Sequence, residues 1–219
     1  MQRQADVTAI VLAGGDPVDE RLRASLPEAA TVIAADSGLD QAERLGLHVD
    51  VVVGDFDSVD PQQLEAAERA GATIERHPAE KDFTDLELAL RVARRRGATR
   101  VVVVGGWGGR IDHALANLLL LGASEFATLN VEAVGAGGRV VAVHDHVDLG
   151  GRQGDLVTLL AVGQPARGVR TEGLRYPLHG ETLHPGSTRG VSNEMLGSRS
   201  RVEVEQGVLL AIVPTMEVA

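Results

Sequence analysis

Six short apolar runs, at residues 7–12, 31–35, 49–53, 72–76, 101–104 and 130–134, recur through the first 135 residues with helix-patterned stretches between them. They are rich in Val, Ile and Ala and carry little polar alternation, which suits strands buried on both faces in a parallel sheet covered by helices. The intervening stretches carry their own boundaries. Asp60-Pro61 supplies an N-cap and a first-turn proline ahead of QQLEAAERA, and Gly71 follows as a stop. Thr84-Asp85-Leu86-Glu87 reads as a capping box opening LELALRVARRRG, which Gly97 ends. Asp112 or His113 leads into ALANLLLLG. Beyond residue 136 the texture changes to short runs punctuated by glycine and proline, among them GRVVAVHD, DLVTLLAVG, SRVEVEQG and GVLLAIVP. The expected fold is α/β followed by all-β. A doubly wound, mostly parallel sheet with flanking helices spans 1–135, and a small antiparallel β-sandwich spans 136–219.

Composition narrows the function. The chain has 219 residues with a formal charge of −10, a poor match to nucleic acid, whose binding rests on a basic face. Apolar runs such as 101–104 and 118–121 stop far short of a membrane span, and MQRQADVTAIVLAGG lacks the apolar core of a secretion signal. With no cysteine there is no disulfide and no thiolate zinc site, so a cytoplasmic protein is expected. Of the 21 basic residues only Lys81 is lysine.

Acidic residues concentrate just past the expected strands. Asp36 follows the second, Asp55 and Asp57 the third, Asp82 and Asp85 the fourth, and Asp112 the fifth. In an open parallel sheet that rim is where ligands bind. Any one of these carboxylates reads as well as a helix cap or a solvated loop charge. Together they need a cation or an upward shift of their pKa values, because two like charges at ~4 Å repel by about 4 kcal/mol at an effective dielectric near 20. Hard oxygen donors without Cys point to Mg²⁺, an ion that commonly shares its shell with phosphate oxygens. Lys81 beside Asp82, Arg110 beside Asp112, and the glycines Gly14-Gly15 and 105–109 (interrupted by Trp107) would suit a polyphosphate. No GxxxxGK[ST] motif occurs, which excludes a P-loop enzyme.

Five motifs in order then resemble the thiamine pyrophosphokinase family: Asp36-Ser37-Gly38 with its preceding alanine, GDFDS at 54–58, KDFTD at 81–85, GGRIDH at 108–113 and GSTRGVSNE at 186–194. The resemblance covers nearly the whole chain. It implies transfer of a pyrophosphoryl group from ATP to the hydroxyl of thiamine, giving thiamine diphosphate and AMP. It implies a homodimer whose active sites lie between the α/β domain of one subunit and the β domain of the other. Asp55, Asp57 and Asp82 are implied as the metal and polyphosphate centre, with Lys81, Arg110 and Asp112 completing the catalytic set. Asp36, Ser37, Thr84, Asp85 and Gly109 are implied around the nucleotide, and Ser192 and Asn193 as thiamine contacts from the partner chain.

That chemistry needs an alcohol in line with the β-phosphorus and neutralisation of spreading negative charge. Lys81 and Arg110 could supply cations, and Asp112 or Asp57 could take the hydroxyl proton. An acidic rim also favours a cationic thiazolium. The strand GVLLAIVP offers no aromatic residue to stack on thiamine; Trp107 either stacks on a substrate ring or covers the sheet end, and Tyr176 is the one tyrosine. His113 reads as a helix-start histidine, with phosphate binding as the alternative, and His144 and His146 as surface residues of a strand. Rival readings are a pyrophosphokinase acting on a pterin alcohol, a Mg²⁺-dependent phosphatase built on the DFD triplet, and a non-catalytic nucleotide- or thiamine-binding module.

Overall fold

The computed structural model describes residues 7–28 and 30–215. Residues 1–6, on which part of the expectation about a leader rests, lie outside it. The chain divides into two compact units. The first takes the chain through Leu120 together with Thr128–Ala136, and the second takes Leu121–Ala127 and the chain from Gly137 onward.

In the first unit, strands β1 (Thr8–Leu12), β2 (Thr31–Ala35), β3 (Val51–Gly54), β4 (Thr73–Arg76), β5 (Arg100–Val104) and β6 (Asn130–Gly135) appear where the apolar runs predict them, with small shifts at the ends. All are parallel, in the order β6-β5-β1-β2-β3-β4. The order reverses between β1 and β5, which makes the crevice beyond their carboxyl ends the expected ligand site. Helices α1 (Gly38–Leu45), α2 (Pro61–Arg69), α3 (Asp85–Arg95) and α4 (Ile111–Leu121) connect the strands. Leu39, Ala42 and Leu45 of α1 join Ile10, Leu12, Val32, Ala34, Val52, Val102 and Val104 in one core cluster, with Leu64 and Ala67 of α2 against it. The alternate strand residues Val11, Ile33, Val51 and Val103 are equally buried, and α3 packs on β1, β2 and β3. Both faces of β1, β2, β3 and β5 are therefore dry, whereas the edge strand β4 buries none of its residues; each buried Val or Ile contributes about 1.5–3 kcal/mol. Such a core can hold strained backbone at its rim.

The helix signals operate as read, with one difference. Asp60 accepts from Gln62 N at 2.8 Å, with Pro61 at the first helical position. Thr84 Oγ1 accepts from Glu87 N at 3.3 Å, but Glu87 does not close the box. Its carboxylate pairs with Arg91, one turn on, at 2.8 Å. The two are i,i+4 on a helix face, where an ion pair competes with the reciprocal cap. Helix α4 begins at Ile111, ahead of the Asp112 or His113 expected to lead into it, and Ile111, Leu115 and Leu119 along it are 84%, 57% and 47% exposed.

In the second unit, β7 (Gly138–Val143), β9 (Leu156–Ala161), β12 (Asn193–Glu194) and β14 (Leu209–Pro214) form an antiparallel array in the order β12-β9-β14-β7. Strands β8 (His146–Gly150), β10 (Ala166–Glu172), β11 (His179–Leu183) and β13 (Arg199–Glu203) form another, ordered β11-β10-β13-β8. Val141, Val157, Leu159 and Leu209 of the first array share a core with Leu149, Val169, Leu183 and Val202 of the second. This is a β-sandwich.

Candidate active site

A cleft of about 720 Å³ opens at the carboxyl edge of the parallel sheet, and every loop that follows β1 through β5 contributes to it. Gly14, Gly15 and Asp16 come from the first, Asp36 and Ser37 from the second, and Asp55, Asp57 and Ser58 from the third. Lys81, Phe83, Thr84 and Asp85 come from the fourth, and Gly109, Arg110, His113 and Asn117 from the fifth and the helix after it.

At the cleft floor, Asp36, Asp55 and Asp57 each bring a carboxylate oxygen within 4.8 Å of the other two. Unusual backbone makes this possible. Asp36 has φ 48° and Phe56 has φ 65°, and with Ser192 at 57° they are the positive-φ non-glycine residues among those described. For a bulky residue such as Phe that conformation costs on the order of 1–3 kcal/mol and persists only where surroundings impose it. Here they do: Asp36 N–H donates to Val53 O at 2.9 Å, and Phe56 N–H donates to Asp36 Oδ1 at 3.1 Å. The Phe56 ring is buried under the Arg76 guanidinium at 4.7 Å. Gly38 belongs to the same construction, since a Cβ there would fall 2.0 Å from Leu12 O. Only glycine lets α1 start this close to β1.

Charge in the cleft is unevenly compensated. Burial pushes the Asp36 carboxyl above its ordinary pKa, a hydrogen bond from Ser37 N–H opposes this, and the charges of Asp85, Asp55 and Asp57 add to the rise. Asp55 is held below its ordinary value, first by the hydrogen bond from Lys81. Lys81 Nζ lies 2.8 Å from Asp55 Oδ2 in an aligned hydrogen bond, and 2.9 Å from Asp85 Oδ1 in an ion pair that falls short of hydrogen-bond alignment. Burial works to lower the lysine pKa, but these two carboxylates outweigh it and raise it. Lys81 thus bridges two acidic residues of different loops, rather than pairing on the surface with its sequence neighbours.

The sequence-derived candidates separate on this geometry. Asp36, Ser37, Asp55, Asp57, Lys81, Thr84, Asp85, Gly109 and Arg110 all line the cleft. Asp82, expected as a third metal ligand, is exposed and outside the lining, and the carboxylate grouped with Asp55 and Asp57 is that of Asp36. The reason is that the loop after β4 turns Lys81 and Asp85 inward. Asp112 is also outside: Arg110 binds it through two nitrogens and holds its carboxyl down to about 2. Trp107 packs against the end of β6, where a Cβ on Gly135 would meet its indole Cε2 at 2.7 Å; it covers the sheet end.

In the second unit, Asn193 is buried and engaged internally. Its Nδ2 donates to Tyr176 O at 2.7 Å, and its Oδ1 accepts from Tyr176 N at 3.0 Å and Glu194 N at 2.9 Å. Ser192 is exposed, with its N–H donating to Thr158 Oγ1 at 3.0 Å. His144 is half-buried between β7 and β8, with Nε2 unpartnered, and only His146 is exposed.

Four polar or aromatic cleft residues escaped sequence reasoning. Asp16 obeys the same strand-end rule as the other acids, and Ser58 completes the GDFDS motif and donates to Asp57 Oδ1 at 2.8 Å. Phe83, with the Arg91 guanidinium 3.8 Å from its ring centroid, sits inside a quoted motif. Asn117, which donates to Gly106 O at 2.7 Å, left no local signal.

A carboxylate cluster and a bridging lysine beyond β2, β3 and β4, with glycine turns at the switch point beyond β1 and β5, define an α/β protein with a ligand cleft at the carboxyl edge of its sheet. Comparison with known proteins is more specific. Residues 22–133 match the family model described as "Thiamin pyrophosphokinase, catalytic domain", and residues 145–209 match "Thiamin pyrophosphokinase, vitamin B1 binding domain". The chain belongs to the thiamine pyrophosphokinase family. It is 27% identical over 194 residues to "Thiamine pyrophosphokinase" of Bacillus subtilis, covering 84% of each chain. A crystal structure of thiamine pyrophosphokinase from Bacillus subtilis superposes with a TM-score of 0.83 at 25% identity, covering 96% of this chain and 100% of that one. One from Geobacillus thermodenitrificans gives 0.79 at 26%, covering 97% and 99%.

Proposed function

We propose that this protein transfers the pyrophosphoryl group of ATP to the hydroxyl of thiamine, releasing thiamine diphosphate and AMP. The observation that carries the reading is the joint match to a catalytic and a vitamin B1 binding domain, in order, in a chain whose first unit holds the acidic cleft. Residues 1–135 act as the ATP- and metal-handling domain and 136–219 as the thiamine-binding and dimerisation domain.

The donor set fits Mg²⁺: three carboxylates of adjacent loops, hard oxygens only, with Asp36 strained into place. Asp36, Asp55 and Asp57 would hold the ion, which when bound supplies charge neutralisation to the polyphosphate. Lys81 and Arg110 add cations of the chain's own. Asp57 is better placed than Asp112 to take the hydroxyl proton, because Asp57 lines the cleft and Asp112 sits outside it. Glycine turns after β1 and β5 let backbone N–H groups approach phosphate.

The active enzyme is a homodimer with each site shared between subunits. Two exposed apolar surfaces support this: Ile111, Leu115 and Leu119 in the first unit, and Tyr176, Val191 and Leu196 around Ser192 in the second. A cytoplasmic location is part of the same reading. Among the described residues no helix is long and apolar enough to cross a membrane.

Incubation with ATP, Mg²⁺ and thiamine should yield AMP and thiamine diphosphate in equal amounts. ADP with thiamine monophosphate would overturn the pyrophosphoryl mechanism, and turnover of a pterin alcohol in place of thiamine would overturn the acceptor.

A further inference from the structure

Every basic residue of this chain is arginine except one, and that one is in the cleft. The Lys81 side chain is 11% exposed, with Nζ 2.8 Å from Asp55 Oδ2 and 2.9 Å from Asp85 Oδ1. Asp55 also belongs to the three-carboxylate cluster suited to a divalent ion. One carboxylate is therefore claimed by two cations. We propose that Lys81 is an internal counter-ion that stands in for the metal at Asp55, and that lysine and metal exchange for that carboxylate when the site is loaded. The inference rests on the reading of Asp36, Asp55 and Asp57 as a Mg²⁺ site.

Three features support exchange over simple coexistence. A doubly charged ion beside an ammonium at ~4 Å loses about thirtyfold in affinity even at the dielectric of water, and more in a cleft. Asp85 gives the displaced ammonium a seat: it is the first residue of α3, and its Oδ1 is buried, near the lysine, and without an aligned hydrogen bond. A small rotation of the lysine tip would complete that bond. Finally, the exchange suits lysine, a compact point charge on a flexible four-carbon stem, whereas a guanidinium is wide and planar. While the metal is away Lys81 neutralises part of the cluster, and once displaced it stays in the cleft where the polyphosphate is read to lie.

A single lysine makes the test direct. Protein labelled with ¹³C and ¹⁵N in lysine alone gives one side-chain NMR signal, that of Lys81. Mg²⁺ is titrated into metal-free protein while this signal is followed, and its binding is measured by calorimetry on wild type and on Lys81→Met. The signal should move saturably along the Mg²⁺ binding isotherm, and Lys81→Met, checked for fold by circular dichroism, should bind Mg²⁺ at least about tenfold tighter. An unmoved signal at saturation overturns the exchange. So does equal affinity in the two proteins, including no binding by either. If Lys81→Met fails to fold, the wild-type signal decides alone. Failure of the transferase reading is separate: wild type would then release no AMP from ATP and thiamine, whatever its lysine signal does.

Discussion

Replacing Asp36 with asparagine removes one charge from the cluster and turns one carboxylate oxygen into an amide donor. Asn keeps the oxygen that accepts from Phe56 N–H, and it tolerates the left-handed backbone at φ 48° at least as well as Asp. Two carboxylate charges 4.8 Å apart repel by about 3.5 kcal/mol at an effective dielectric near 20, and by about 1 kcal/mol at the dielectric of water. The Asp55 charge is already compensated by Lys81, and Asp57 is exposed to solvent. What remains on Asp36 is about 1–2 kcal/mol, worth about 3–6 °C in a chain of this size. Asp36→Asn should therefore melt above wild type in chelator, followed by the helical circular-dichroism signal, which reports the first unit. With Mg²⁺ the order should narrow or invert, because wild type gains a ligand that the variant holds less well. Because the carboxyl is raised from 3.8, its cost is absent below 3.8 and complete once pH passes the raised value. The gap between the proteins should accordingly close on acidification. A variant that melts at or below wild type in chelator would mean that these carboxylates do not oppose one another, and the electrostatic case for a cation there would fail.

Shared sites predict complementation. Asp57→Asn and Ser192→Arg, which sets a positive charge toward a cationic substrate, should each inactivate the homodimer, while a co-refolded equal mixture should recover roughly a quarter of wild-type activity. Recovery of only the average, with hybrids confirmed by mass, would exclude the shared site. Asn193→Ala should cost about 1–3 kcal/mol in denaturant melts, because it deletes a buried side chain that bonds both Tyr176 backbone groups; a change in thiamine affinity with stability intact would instead mark Asn193 as a substrate contact. Burial holds His144 below 6.5, so the unfolded chain takes up a proton first and stability should fall as pH drops through 6.5. His144→Leu should flatten that slope in thermal melts, and an unchanged slope would assign it to other groups.

The fold was legible because its main signal is local. Runs such as 101–104 are too continuous for a one-faced strand, and Asp60-Pro61 and Thr84 set helix starts within reach of their own side chains. The site was legible as far as the strand-end rule reaches, which delivers Asp36, Asp55, Asp57 and Lys81 to one rim. It could not tell Asp36 from Asp82 as the third carboxylate. That choice depends on a positive φ at Asp36 and on the inward turn of Lys81 and Asp85, neither of which has a pattern along the chain. Asn193 shows the same limit. The motif that contains it carries no sign that its amide bonds Tyr176, seventeen positions away.

The carboxylates stand immediately beyond the last rungs of the parallel ladder. Asp36 N–H still bonds to Val53, Ala13 N–H to Val104, and His77 N–H to Gly54, so the loops leave the sheet with almost no slack. Warming cannot spread these residues apart by loosening a surface segment, because the segment is anchored at the strand that positions it. Loss of activity on heating should therefore coincide with cooperative melting of the parallel sheet, with no earlier, separate inactivation of the half of the site that lies in the first unit. The shelf life of that half is set by the unfolding rate of its own core.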